Sequence, residues 1–390
     1  MNPTERRALA GLASLYVFRM LGLFMVLPVL SLYGTEYSGS TPALLGLALG
    51  AYGLSQAILQ IPLGVLSDRW GRKPVIFLGL GIFALGSVVA ALTDSVWGLI
   101  AGRILQGAGA IAAATMALAA DLTRDENRGK AMAVIGASIG VAFVLAVVLG
   151  PLLAGFGGLS AIFWLTALLA LCGILLVWRL VPNPQASARR APQKGDFARL
   201  LAQGDVWRLV CGVFFLHLLL TMLFVPLPLQ LVDKLHLASE QHWKLYGPLM
   251  LGAFVIMLPL MRLAEKRHKV PAAMRLALLG LVFGGVALMP QVEGRWTVLC
   301  LGMFFVAFNL LEALLPAQLT RIAPAECRGA ATGLYATLQF LGAFVGGSLG
   351  GLVFGLGGAG AVATLALGVL VLWALAWWQM RAQQVSLAGS

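Results

Sequence analysis

The chain has 390 residues, of which 60% are hydrophobic and only 11% charged, and its 27 Lys and Arg against 15 Asp and Glu give a net charge of +12. Soluble domains carry about 25% charged residues. A water-facing globule, a disordered chain and a coiled coil are therefore excluded, and a mean hydropathy of +0.92 fits a surface facing lipid.

A spanning helix needs about 20 apolar residues. Such runs fall at about 8–33, 44–66, 74–93, 97–119, 131–154, 160–181, 207–231, 245–263, 272–291, 296–319, 330–356 and 359–380. The first run is too long for a signal-peptide core, holds Arg19 and lacks a small-x-small cleavage site, so it reads as a retained span. With the N-terminus inside, 22 of the 27 basic residues fall in inside segments and three (Lys234, Lys244, Arg295) in outside loops, while Arg19 and Arg103 lie within spans. This asymmetry predicts twelve spans with both termini cytoplasmic. It also argues against nucleic acid as a partner, because the cations sit in short clusters between apolar runs. The four cysteines show no zinc or disulfide spacing and are expected to be free, mostly buried thiols.

The polar stretch 182–205, with Pro182, Pro184 and Pro192, reads as a cytoplasmic linker between a first half, 1–181, and a second, 206–390. The halves echo each other. Pro62-x5-Asp68-Arg69-x2-Arg72 recurs as Pro259-x5-Glu265-Lys266-x2-Lys269, and Glu126-Asn127-Arg128-Gly129 as Glu326-Cys327-Arg328-Gly329. Duplicated six-helix halves are common in secondary transporters.

The most specific motif joins spans two and three: Gly64-Val65-Leu66-Ser67-Asp68-Arg69-Trp70-Gly71-Arg72-Lys73-Pro74. Its glycines permit a turn too tight for a Cβ. The Arg72 fork suits a carboxylate, and Asp121 at the inner end of span four is the expected partner. Such a cluster is expected to lock the two halves together on the inner face and to break as they rock. The alternative is an ordinary positive-inside turn.

These residues carry a resemblance. The sequence resembles the major facilitator superfamily, drug:proton antiporter type with twelve spans. The turn 64–74 is similar to that superfamily's motif A, and Arg103-Ile104-Leu105-Gln106-Gly107-Ala108-Gly109 to its motif B. Gly136, Gly140, Gly150, Pro151 and Gly155 resemble the antiporter motif C, with Ala146 and Ala154 where glycines are common. Arg19–Pro28 and Phe308–Pro316 resemble the YajR-like subgroup, whose small ferredoxin-like domain after span twelve is not expected here.

The resemblance implies an all-α polytopic membrane protein with two pseudo-symmetric six-helix halves, in which spans one, four, seven and ten line a central cavity. Each of those spans carries a polar or ionisable group: Arg19; Arg103 and Gln106; His217; Asn309 and Glu312. A charge in hydrocarbon costs at least about 2.5–3.5 kcal/mol on insertion scales, so such groups mark candidate sites. Arg19 reads as a cavity cation or a partner for backbone carbonyls. Glu312 reads as the proton carrier, as a fixed partner of Arg19, or as a residue at the end of its span. His217 reads as a second carrier or as hydrogen-bonded core. Arg103 fits a relay or packing network better than a substrate contact. Gly136, Gly140, Gly150 and Pro151 read equally as a rocking joint and as tight packing. Phe24, Phe214, Phe224 and Phe305 are expected to line the cavity or to face lipid.

No Walker lysine motif is present, and Gly79-x-Gly81-x2-Ala84 sits inside a span with no preceding strand, so neither ATP nor a dinucleotide is expected. The expected function is non-enzymatic: a monomeric, proton-gradient-driven exporter of small amphipathic compounds in a bacterial inner membrane, without a cofactor. A symporter or uniporter for a polar metabolite, an exporter of anionic metabolites, and a membrane sensor on the same fold remain open.

Overall fold

The computed structural model describes residues 1–183, 200, 203–324 and 327–378. Most of the expected linker therefore lies outside the described residues. Ten helices among them are long and apolar enough to cross a membrane. Two of the ten, Asp125–Leu180 and Arg328–Trp378, are 56 and 51 residues long, and each is interrupted by a glycine pair. Gly157 and Gly158 (φ −160°, ψ 31°; φ 62°, ψ −159°) match Gly357 and Gly358 (φ −147°, ψ 16°; φ 65°, ψ −163°). The second residue of each pair has a positive φ with an extended ψ, a conformation open to glycine alone. Each long helix thus supplies two arms, and the chain crosses twelve times. The repeat of 200 residues equals the spacing of the Glu-x-Arg-Gly echo, so the two halves are built alike.

In chain order the spans are one (Pro3–Phe24), two (Pro42–Trp70), three (Arg72–Leu92) and four (Val96–Ala108 with Ala112–Asp121), then five and six as the arms of Asp125–Leu180. The second half follows with seven (Gly204–Phe224), eight (Trp243–Lys266), nine (Val270–Gly280 with Val282–Leu288) and ten (Arg295–Ile322), then eleven and twelve as the arms of Arg328–Trp378. The expected apolar runs are interrupted in several places. Span one stops at Phe24, and a short helix, Leu30–Tyr33, follows Pro28; span seven stops at Phe224, before Leu227–Leu235. Span four breaks at Gly109 because its backbone is pressed against two neighbours. A Cβ on Gly107 would stand 2.1 Å from the Tyr52 carbonyl oxygen of span two, and one on Gly109 would stand 2.4 Å from the Gly79 carbonyl oxygen of span three.

Span one opens with a capping box: Glu5 N–H donates to Asn2 Oδ1 and Asn2 N–H to Glu5 Oε2. The buried Glu5 carboxylate also accepts from Arg124 N, Arg124 Nε and Asn127 Nδ2, tying the start of the chain to the connection between spans four and five. The face bearing these connections is called the basic face below.

The halves meet through glycine. Gly46, Gly50 and Gly53 of span two lie against Gly347, Gly351, Phe344 and Phe340 of span eleven, and a Cβ on Gly46 would stand 2.4 Å from the Gly347 carbonyl oxygen. A different stripe of span eleven, Gly342, Gly346 and Gly350, packs on span seven of its own half. Without a hydrophobic drive between helices in lipid, such close backbone approach supplies packing energy. These contacts between halves run from mid-membrane to the face opposite the basic one. Of the cysteines, Cys300 and Cys327 are buried, whereas Cys211 is half-buried and Cys172 exposed on the apolar perimeter, correcting the expectation that most are buried.

Candidate functional site

Glu312 of span ten faces His217 of span seven, with 3.7 Å between Oε2 and Nε2. Gln339 of span eleven, not singled out in the sequence, lies between them. Its Nε2 is 2.8 Å from His217 Nε2 and donates to Glu312 Oε1 at 3.3 Å. The far side of the imidazole fixes its tautomer. His217 Nδ1 lies 3.2 Å from the Val213 carbonyl oxygen, which can only accept, so Nδ1 carries a hydrogen. In the neutral ring Nε2 then offers a lone pair to the Gln339 amide. The arrangement as drawn is one NH2 group between two acceptors, a neutral imidazole and an ionised carboxylate. His217 is buried, whereas the Glu312 side chain is 30% exposed.

Arg19 does not join this pair. It is 3% exposed, and its Nη2 donates to Gln56 Oε1 and to the Gly109 carbonyl, at 3.3 Å for the latter. Gln56 in turn donates to Gln60 Oε1 at 3.3 Å. The expectation of a cation beside Glu312 is thus corrected: Arg19 is held by span two and the break in span four, and its Nε and Nη1 lack acceptors among the described residues. Asn309 is buried beside no acceptor for its Nδ2.

Arg103 and Gln106 are absorbed into the interior of the first half rather than lining a cavity. Arg103 Nη1 donates to Gln106 Oε1 at 2.8 Å and Nε to the Ala48 carbonyl at 3.4 Å, and the guanidinium stands 5.0 Å from the Tyr52 ring centroid. Gln106 Nε2 donates to Ser87 Oγ at 2.8 Å. Carbonyl, amide and ring face together solvate the buried cation.

At the basic face, Arg72 joins the ends of three spans. Its Nη2 is 2.5 Å from Asp68 Oδ1, its Nε is 3.2 Å from Asp121 Oδ2, and its Nη1 donates to Ser67 Oγ at 2.7 Å. Gly71 supplies the turn with φ 96°, Gly64 lets span two approach Ala113 of span four, and Arg69 is exposed. The expected lock between halves is corrected here: Asp68, Arg72 and Asp121 all belong to the first half. Arg72 opens span three, one turn after Asp68, and reaches only as far as span four.

In span five, a Cβ on Gly140 would lie 3.1 Å from the Phe254 ring of span eight in the other half, and one on Gly150 would lie 2.5 Å from the Met25 carbonyl oxygen of span one. Pro151 follows inside the helix, and Gly136 has nothing within 4 Å. Of the expected lining rings, Phe224 and Phe305 are fully buried and Phe214 packs on Phe215. Phe24 does reach the centre, where Phe24, Phe143, Phe308 and His217 stand in series at 4.9, 6.3 and 5.9 Å between ring centroids, linking spans one, five, ten and seven across the two halves.

Gln56 and Gln60 on span two and Gln339 on span eleven were not expected at the site, because they lie outside spans one, four, seven and ten. The available signal was a neutral amide within an apolar span, where each unpaired polar atom is costly.

Residues 12–347 match the model of the Major Facilitator Superfamily. The chain belongs to that superfamily. It is a multi-pass membrane transporter of small molecules rather than an enzyme. Over 361 residues it is 48% identical to the inner membrane transport protein YajR of Escherichia coli, covering 91% of this chain and 79% of that one. It is 27% identical over 377 residues to multidrug resistance protein 2 of Bacillus subtilis, covering 90% and 92%. Among solved structures, a bacterial homologue of the human lysosomal transporter Spinster, inward-facing and occupied, aligns with a TM-score of 0.76 at 16% identity over 97% of both chains.

Proposed function

We propose that this superfamily member is a proton-coupled antiporter that exports small amphipathic compounds from the cytoplasm. The single observation carrying this reading is the Gln339 amide held between His217 and Glu312. A proton arriving at His217 Nε2 turns an acceptor into a donor facing the amide NH2. The amide must then turn over and present Oε1 to the ring. Oε1 now faces the Glu312 carboxylate, an acceptor opposite an acceptor, until Glu312 is itself protonated or moves. Gln339 sits on span eleven, next to Phe340, which with Phe344, Gly347 and Gly351 forms the contact with the first half. Protonation in the second half is thereby linked to the contact that must open and close.

Each ligand must bind the two states differently to move their equilibrium. The proton does so through the amide, and an amphipathic substrate does so on the aromatic series of Phe24, Phe143 and Phe308, which spans both halves. The likeness to multidrug resistance protein 2 and the motif-C glycines favour export over import. By the positive-inside rule the basic face is cytoplasmic. The contacts between halves then close the outer side, and the central residues open to the cytoplasm. We take the protein to act as a monomer in the bacterial inner membrane without a cofactor, and residues 182–205 to be a cytoplasmic linker.

Glu312→Gln mimics the protonated carboxyl at nearly constant volume. In proteoliposomes it should abolish uphill transport driven by a pH gradient while sparing substrate–substrate exchange. Uphill transport with wild-type pH dependence would make Glu312 structural.

A further inference from the structure

We propose that the connection between spans eight and nine is a docking surface for anionic phospholipid of the leaflet at the basic face, with its cations gripping the headgroup phosphate. Arg262, Lys266, Arg267 and Lys269 stand within eight residues, Arg275 follows in span nine, and Glu265 is the one acid in the stretch 262–275. The first four side chains are exposed and Arg275 is half-buried. None of the five makes a side-chain hydrogen bond or ion pair among the described residues, and Glu265 is engaged by Arg321 of span ten at 3.6 Å. A general excess of inside cations does not explain how the two halves differ here. In the first half the matching turn neutralises itself: Arg72 lies between Asp68 and Asp121, and Arg124 lies on Glu5. The second half keeps Glu265 in the place of Asp68 and Lys269 in that of Arg72, but it reverses the third position. Five residues before each Glu-x-Arg-Gly echo stands Asp121 in the first half and Arg321 in the second. The acid that would hold Lys269 is thus a base, and that base draws Glu265 to itself. The surplus positive charge is left on the surface.

Depth favours a lipid as the source of the phosphate. Span nine starts at Val270, so Arg275 stands about 8 Å along its axis. It shares a helix face with Leu279, one turn on, and Leu276 and Leu279 are 68% and 55% exposed on the apolar perimeter. A cation at this depth on a lipid-facing helix reaches back to the headgroup level. Leu260 and Leu263 are also exposed and carry the apolar surface of span eight down to Lys266. A phospholipid meets both requirements together: its acyl chains lie on these leucines, and its phosphate lies level with Lys266, Lys269 and Arg275. A soluble phosphate meets only the second. Clusters of Lys and Arg beside a span attract acidic leaflets by this charge complementarity.

Headgroup binding here is independent of transport direction and of Glu312, so its failure leaves the proposed antiport standing. The purified full chain is melted in neutral detergent with phosphatidylglycerol, with phosphatidylcholine of the same acyl chains, or with inorganic phosphate. Phosphatidylglycerol should raise the melting temperature saturably, and the other two should not. The triple variant Lys266→Gln, Lys269→Gln, Arg275→Gln should weaken the apparent affinity on the order of a hundredfold, at about fivefold for each cation near the surface. A control variant, Arg6→Gln, Lys130→Gln, Arg179→Gln, removes equal charge from exposed positions of the first half and should keep the effect. If the triple variant does not purify folded, the exposed pair Lys266→Gln, Lys269→Gln decides on the same terms, with a weakening of about 25-fold. No stabilisation by phosphatidylglycerol, equal stabilisation by phosphatidylcholine or phosphate, an unchanged effect in the deciding variant, or an equal loss in the control overturns the surface.

Discussion

The amide nitrogen of Gln339 lies 2.8 Å from the imidazole nitrogen of His217, two residues 122 positions apart in sequence and on different spans of one half. Because His217 Nδ1 faces a carbonyl, this contact requires the neutral ring to carry its hydrogen on Nδ1, the tautomer less favoured in water. Nitrogen NMR of side-chain-labelled histidine reports this directly, and the chain has only four histidines. His217 should show a protonated Nδ1 and an unprotonated Nε2 at high pH. Gln339→Leu should relax that preference and reduce gradient-driven transport by about tenfold, the worth of one hydrogen bond to a charged group. An Nε2-protonated neutral ring in the wild type would remove Gln339 from the coupling.

The motif-A cluster gives a second expectation. Asp68→Asn keeps the shape at the end of span two but removes the charge 2.5 Å from Arg72. The protein should still insert, and transport should fall. Asp121→Asn, at the longer 3.2 Å contact, should produce a milder defect of the same kind. Gly71→Ala imposes a Cβ on a backbone with φ 96° and should cost about 1–3 kcal/mol of stability. Wild-type transport by fully inserted Asp68→Asn would leave the cluster as a plain turn.

The contact between spans two and eleven provides a third. A side chain at Gly46 would meet the Gly347 carbonyl at 2.4 Å from its Cβ. Gly46→Leu should therefore hold the halves apart on the face away from the basic one. A single cysteine placed at Ser348, facing this contact, should react faster with a membrane-impermeant maleimide added from that face. An unchanged labelling rate would show that the contact does not close that side.

The spans were legible because a run of about 20 apolar residues has one stable solution in lipid, and the repeat was legible because both halves reuse Glu-x-Arg-Gly. The glycine pairs at 157–158 and 357–358 sit inside apolar stretches and take their meaning only from their dihedral angles. The break at Gly109 was hidden for the same reason: hydropathy continues through it, and its cause is the pressure of spans two and three. Arg72 and Asp121 could be matched from sequence because both stand at span ends on the same face. The partners of Arg19 and Glu312 could not, since which neutral amide reaches a buried charge depends on how three or four helices rotate against one another.

In the proposed antiport, substrate and proton move in opposite directions through one protein. Proteoliposomes with a pH-sensitive dye inside, given a gradient of a compound that stabilises the purified protein, read this directly. Substrate flowing down its gradient should drive protons the other way, and Glu312→Gln should carry substrate exchange with no pH change. Substrate flux in the wild type without a matching pH change would contradict it.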